Sequence, residues 1–265
     1  MNGVLVLVAF IALFPFFLML SGSLQTIQEL YAGITLWPAV PQLQNFVTAW
    51  TEGSMAIYIP NSILYSTIVS AAVLFASSMA GYALARIEFA GRNAVMFVIL
   101  AIMIVPLPAS FIALYKLLVS MGLANTRMGY MMPLIAGGLP VSIFILQGFF
   151  VRQPKEIEDA AVLDGCSAFD VFWRVMLPLA KPGLAAVVVI EFLQVWNEYL
   201  LALIIFNNQV LMPVQTGLIQ FNAAETPMQH VLLAATLIAA LPVLLLYAFA
   251  QKSIVQGLME GAIKG

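Results

Sequence analysis

The chain has 265 residues, 63% of them hydrophobic and 8% charged, with a formal net charge of −2 and a mean hydropathy of +1.04. Soluble domains are about a quarter charged, so this composition cannot cover a water-facing surface and implies an integral membrane protein. With no basic excess it excludes a nucleic-acid partner, and its single cysteine, Cys166, excludes an internal disulfide or a cysteine-based zinc cluster.

A membrane-crossing helix needs about 20 largely apolar residues. Six stretches meet that criterion: 3–21, 60–85, 93–115, 129–150, 183–206 and 229–251. None shows the two-residue alternation of a lipid-facing barrel strand. The expected fold is therefore an all-α membrane protein, one transmembrane domain over 1–265 with six transmembrane helices. The first stretch lacks a basic leader and an Ala-x-Ala-like cleavage site, and its apolar run is too long for a signal peptide. It reads as a retained helix, and because the sequence starts almost flush with it, a short upstream cytoplasmic tail is expected.

The loop 22–59 carries Glu29 and Glu52 but no Lys or Arg. Its Trp37, Trp50 and Tyr58 suit a membrane interface. This loop and the segment 207–228 either meet an extracytoplasmic partner or simply connect helices. Asn61, at the start of the second span, is a polar candidate for helix bonding or for lining a path. Pro106 and Pro108 in the third span, and Pro133 and Pro140 around Gly137 and Gly138 in the fourth, should kink or break their helices.

Basic residues set the orientation. Arg86 and Arg92 separate spans two and three, Arg152, Lys155, Arg174 and Lys181 separate four and five, and Lys252 and Lys264 follow six. All eight share one side of a six-span arrangement, and only Lys116 and Arg127 fall on the other. Both termini and the segment 154–178 are therefore expected in the cytoplasm.

That segment holds five of the chain's twelve acidic residues. Pro154 suits a first helical turn, and Glu156, Glu158 and Asp159 favour the positive end of the helix dipole. Ala160 and Ala161 form a small-residue patch that another surface can approach closely. Gly165 fits a helix C-terminus. Ser167 with Asp170 approximates a capping box that opens a second helix through Phe169, Phe172, Trp173 and Met176, ended by Leu177 and Pro178. Helices that rest on lipid usually carry Lys and Arg on the polar face. An acidic first helix better suits a basic protein partner.

Within the fifth span, Glu191, Gln194 and Glu198 lie within about 60° of one another at 3.6 residues per turn, with Asn197 at the edge. A carboxylate at mid-membrane costs about 2.5–3.5 kcal/mol on insertion scales, so this polar stripe belongs in a bundle interior or a wet path. Bonding to neighbouring helices and lining a path both remain open; Trp196 points away from the stripe, and Tyr199 is little better placed. His230, the only histidine, starts span six, and Asp159, Asp164 and Asp170, the only aspartates, all lie in the charged segment. That leaves no zinc-protease pattern, no membrane aspartyl pair, no metal site and no catalytic residue. A lone ion-coupled secondary transporter using Glu191 or Glu198 is the rival reading, but it gives no reason for the acidic segment. No Gly-Lys-Ser or Gly-Lys-Thr occurs, so no phosphate loop can be assigned and any ATP motor is a separate chain.

Asp159-Ala160-Ala161, Gly165, Val175 and Leu177-Pro178 stand at the spacing of a loop written E-A-A-x3-G-x9-I-x-L-P. In this it resembles the membrane subunits of binding-protein-dependent ABC importers, departing at Asp159, where Glu is usual, and at Val175, where Ile is. Asp164-Gly165-Cys166-Ser167 resembles the carbohydrate branch of that family, with Cys166 in a small-residue packing slot. Further likeness to maltose-type sugar permeases runs through Pro60-Asn61-Ser62, Tyr82 to Arg86, Ile112 to Tyr115, Gly122 to Thr126, Trp196 to Leu203 and Gln256 to Gly265.

The resemblance implies a multi-pass permease subunit of a bacterial or archaeal cytoplasmic membrane that imports a sugar or oligosaccharide. It implies a second permease subunit as heterodimer partner, a cytoplasmic ATPase dimer and an extracytoplasmic solute-binding protein. ATP and Mg would be bound by the ATPase, leaving this chain without a cofactor. The segment 154–178 would act as a coupling helix, with Glu158, Asp159, Ala160, Ala161, Asp164, Gly165, Val175, Leu177 and Pro178 as its coupling residues.

Overall fold

In the computed structural model, the described residues are 2–33, 36–104, 110–223 and 228–262, with side chains described for all of these except 2, 220, 222–223 and 252–262. Helices and connecting turns make up these residues, and no strand occurs among them. Among the described residues four helices are long and apolar enough to cross a membrane: Gly3–Ser23, Met55–Arg86, Arg127–Arg152 and Gln229–Gln251. They correspond to the first, second, fourth and sixth expected spans.

The other two expected spans are interrupted. The third is represented by the helices Arg92–Ile102 and Phe111–Ser120, and Pro106 and Pro108 lie outside the described residues. The fifth is the helix Lys181–Trp196, a non-helical stretch at Asn197, Glu198 and Tyr199, and the short helix Leu200–Ile205. In the fourth, the break allowed by the expectation of a kink or break does not occur. Arg127–Arg152 runs unbroken through both Pro133 and Pro140, because a helix in a bundle tolerates the lost amide where surrounding groups re-satisfy the freed carbonyl.

The chain divides into two compact units: Met1–Ile63 with Asn208–Leu244, and Leu64–Asn207 with Leu245–Gly265. In the first, side-chain amides and hydroxyls organise the turns between helices. The Thr26 amide donates to Glu29 Oε2 at 2.9 Å and the Glu29 amide donates to Thr26 Oγ1 at 3.2 Å. This capping box opens the helix Ile27–Ala32, and its Thr26 amide and hydroxyl bonds hold the Glu29 carboxyl below its usual range. Asn45 Nδ2 donates to the carbonyls of Ser23 and Gln25, both at 2.9 Å.

Asn61 does the same work for the segment after residue 207. Its Nδ2 donates to Val210 O at 2.7 Å and Met212 O at 3.1 Å. Beside it the Val214 amide donates to Ser62 Oγ at 2.8 Å. Replacing Asn61 by Leu strands two carbonyls, each costing about 1–3 kcal/mol when buried. Asn61→Leu should therefore lower the thermal unfolding midpoint of the detergent-purified chain well beyond that of Asn61→Ser.

The second unit holds the charged segment and the interrupted fifth span. Its helices approach closely where small residues allow it. A methyl on Gly81 would stand 3.0 Å from the backbone nitrogen of Gln147 and 3.2 Å from the Leu146 side chain. Tyr65, Tyr130 and Phe206 form an aromatic trio with ring centroids 5.0–6.2 Å apart, filling the space behind the break. Beneath the charged segment, Phe150, Ala161, Phe172 and Met176 belong to one buried core cluster.

Candidate functional site

The charged segment folds as two helices joined by a tight turn. Pro154 stands just before the first, Lys155–Leu163, as its capping residue rather than within its first turn. The end of that helix is a Schellman motif. The Cys166 amide donates to Ala161 O and the Gly165 amide to Val162 O, both at 3.0 Å, and Gly165 sits at φ +86°, a left-handed conformation that glycine adopts without penalty. Cys166 is half-buried against the core cluster, the packing role expected of it.

Ser167 opens the second helix. Its hydroxyl accepts from the Asp170 amide at 3.2 Å and donates to Asp170 Oδ2 at 2.5 Å. That hydroxyl bond, helped by Arg174 at 3.2 Å, keeps the Asp170 carboxyl below its usual range. The helix then widens into a π-turn over Val171–Met176, where the Leu177 amide donates five residues back to Phe172 O. The expectation that Leu177 and Pro178 end this helix is corrected: it continues to Leu179. Pro178 falls at the start of the α-turn that follows the π segment, where a missing N–H costs least. The chain turns by 75° between Ala168–Leu179 and Lys181–Trp196.

Helical phase sorts the candidate coupling residues into two faces. Asp159, Ala160, Asp164, Gly165 and Pro178 are exposed, Val175 and Leu177 are half-buried, and Ala161 is buried. Glu158 turns inward, where its Oε1 lies 2.7 Å from Arg86 Nε. The outward face also carries Val162, Leu163, at 88% exposure, and Phe169, at 65%. Sequence reasoning passed over Val162 and Leu163; the signal was two adjacent apolar residues in the outward phase of a short helix. The outward face thus combines exposed apolar side chains with the exposed carboxylates of Asp159 and Asp164.

In the fifth span the expected stripe does not form one face. Regular helix stops at Trp196, so the 3.6-residue phase that would align Glu198 with Glu191 ends before reaching it. Glu191 is 1% exposed and its Oε1 accepts from Ser142 Oγ at 2.7 Å. Glu198 serves the break: its Oε1 accepts from the Leu201 amide at 2.7 Å, its Oε2 from the Ala202 amide at 3.3 Å and from Tyr130 Oη at 3.0 Å. Gln194 and Asn197 are exposed, and Asn197 Nδ2 donates to Leu193 O at 2.8 Å. Trp196 lies buried, stacked on Phe192 at 5.6 Å.

Ser142 and Tyr130 were missed from the sequence, since a lone hydroxyl in an apolar run carries no sign of its distant partner. Gly138 joins Ser142 in the contact with Glu191. A Cβ there would stand 2.2 Å from Glu191 Oε2, so the bare backbone is what admits the carboxylate. Gly138→Ala should cost about 1–3 kcal/mol by overpacking, seen as a lower unfolding midpoint, and Glu191→Ala in the same chain should relieve part of that loss.

Among the described residues no three His, Cys, Asp or Glu side chains converge as a metal site. The first unit contains a cavity of about 240 Å3 lined by Glu52, Ser54, Tyr58, Gln209 and Phe221, among others; none of the path-lining or coupling candidates lines it.

Helices long and apolar enough to cross a membrane mark an integral membrane protein. The profile of the family described as binding-protein-dependent transport system inner membrane component matches residues 72–259, and the chain belongs to that family. It is 32% identical over 257 residues to the arabinooligosaccharides transport system permease protein AraQ of Bacillus subtilis (strain 168), covering 96% of this chain and 91% of that one. The melibiose/raffinose/stachyose import permease protein MelC of the same organism is 30% identical over 252 residues, covering 95% and 91%. The fold matches a crystal structure of a bacterial ABC transporter involved in the import of the acidic polysaccharide alginate. There the TM-score is 0.81 at 23% identity, over 95% of this chain and 94% of that one.

Proposed function

We propose that this chain forms half of the translocation path of an ABC importer for a sugar or oligosaccharide and is driven through residues 154–178 by a separate ATPase. The observation that carries the reading is the Lys155–Leu163 helix, closed by a left-handed Gly165 and presenting Asp159, Ala160, Leu163 and Asp164 outward. Of these, Asp159, Ala160 and Gly165 stand at the spacing of the coupling loop that the sequence resembles. The transport classes printed for AraQ and MelC supply the solute class.

In this reading the chain is one permease domain with six spans and both termini in the cytoplasm, as its loop charges require. The 75° bend then turns the chain from the cytoplasmic surface into the fifth span. A second permease completes the path, a binding protein delivers solute from outside, and an ATPase dimer binds ATP and Mg and performs the hydrolysis. Gln194, in the last turn before the break, and Asn197, its first residue, are both exposed and are the path-lining residues this reading favours. The rival, a lone ion-coupled transporter, gains nothing from Glu191 or Glu198, because both carboxylates accept bonds from neighbouring residues of this chain.

Affinity purification of the tagged chain from its native membrane should bring down an ATPase and a second permease. Solute uptake by the reassembled vesicles should require ATP inside and binding protein outside. Proton-driven uptake by vesicles holding this chain alone would overturn the proposal.

A further inference from the structure

We propose that Arg86 and Glu158 are positioning residues: their ion pair ties the Lys155–Leu163 helix to the end of the Met55–Arg86 helix, so that a push on the first moves the second. The proposal rests on the reading of residues 154–178 as the ATPase-facing element.

Covalent connection joins that element only to its sequence neighbours, Arg127–Arg152 before it and Lys181–Trp196 after it. Met55–Arg86 is remote in sequence, and apart from the polar contacts of Tyr82 and Arg86 it meets the element through apolar packing. The ion pair supplies an electrostatic link. Arg86 Nε and Glu158 Oε1 are 2.7 Å apart, with side chains 13% and 14% exposed. Tyr82, one turn before Arg86, donates from Oη to Glu158 Oε2 at 3.4 Å. Arg86 Nη2 donates to the carbonyl of Gln153, so one guanidinium holds the backbone just before Pro154 and a side chain just after it.

Tyr82 is also wedged between Phe150 and Phe172, at centroid distances of 5.5 and 5.1 Å. Arg92 donates to Ala85 O at 3.2 Å and secures the helix end that carries Arg86. Displacing Lys155–Leu163 without carrying Arg86 along would leave two charges unpaired in a largely dry site, and such separations are strongly unfavourable. Glu158 is therefore occupied from within, which leaves the partner surface to its exposed neighbours Asp159 and Asp164.

The test uses the complete transporter, purified through this chain and reconstituted, comparing wild type, Glu158→Gln, Arg86→Gln and the charge exchange Arg86→Glu with Glu158→Arg. Three quantities are read: ATPase retained on the chain, ATP hydrolysed and solute moved. Each single variant should keep the ATPase but move about tenfold less solute per ATP, the scale on which coupling residues act, and the exchange should recover at least half of the loss. An unchanged ratio in both single variants, with ATPase retained, overturns the tether and leaves the docking reading standing. A ratio that falls with no recovery on exchange, or single variants that fail to accumulate and are not rescued by the exchange, also overturns it by making the pair a packing element. Failure of the wild-type chain to hold any ATPase overturns the docking reading and the tether with it.

Discussion

Gly165→Asp is expected to reduce solute uptake by at least about a hundredfold while the chain stays folded in the membrane. The fold tolerates the change because a Cβ at Gly165 meets nothing within 4 Å. The backbone penalty of a left-handed residue is about 1–2 kcal/mol, and Asp is among the few residue types that visit that conformation. What changes is the outer surface. A third carboxylate joins the exposed Asp159 and Asp164, at the turn that a partner must approach closely. An unpaired charge buried at an interface costs several kcal/mol, and each 1.4 kcal/mol is tenfold in affinity.

Gly165→Asn is the matched control, since Asn accepts the same backbone conformation without charge and should retain uptake within about fivefold. The measurement is ATP-dependent uptake in vesicles normalised to the amount of chain inserted. Wild-type uptake by Gly165→Asp would remove residues 154–178 from the coupling route. Equal loss in both variants would point to backbone strain instead of charge.

How far the sequence foretold this arrangement differs between the two regions. In the charged segment the signals are local: Gly165 as a left-handed stop and Ser167 with Asp170 as a cap lie within five residues of each other, and local rules read them correctly. The π-turn at Val171–Met176 has no such signature, so Pro178 was taken for a stop. In the expected fifth span the apolar count picked out the stretch but not its break at Asn197 to Tyr199. Glu198 reads as a member of a helical stripe until its acceptors are seen to be used by Leu201, Ala202 and Tyr130. Tertiary pairs such as Arg86 with Glu158 and Ser142 with Glu191 are 72 and 49 residues apart in sequence, beyond any periodicity argument. Glu158 was singled out as a coupling residue from its position, but its direction, inward, became legible only through its partner.

Glu198→Ala carries the largest expected loss within the spans, and its companions decide what Glu198 is for. The carboxylate takes three donors, the amides of Leu201 and Ala202 and the Tyr130 hydroxyl. Truncation to Ala strands all three in a poorly hydrated place at about 1–3 kcal/mol each, more than enough to fray the six-residue helix Leu200–Ile205. Glu198→Gln keeps one oxygen for the Leu201 amide and turns an NH2 toward Tyr130, whose hydroxyl can reverse and accept. Only the Ala202 amide then lacks a partner, for a cost of about 1–2 kcal/mol. Tyr130→Phe removes a single bond at about 1 kcal/mol. Thermal unfolding of the purified chain should therefore rank Glu198→Ala well below Glu198→Gln, and Glu198→Gln slightly below Tyr130→Phe. If Glu198 acts by holding the break, uptake should fall in that same order and in proportion to stability. Uptake lost in Glu198→Gln at near wild-type stability, with Tyr130→Phe still active, would assign the carboxylate to the solute path instead, since only a group that meets solute would register the exchange of one oxygen for an amide.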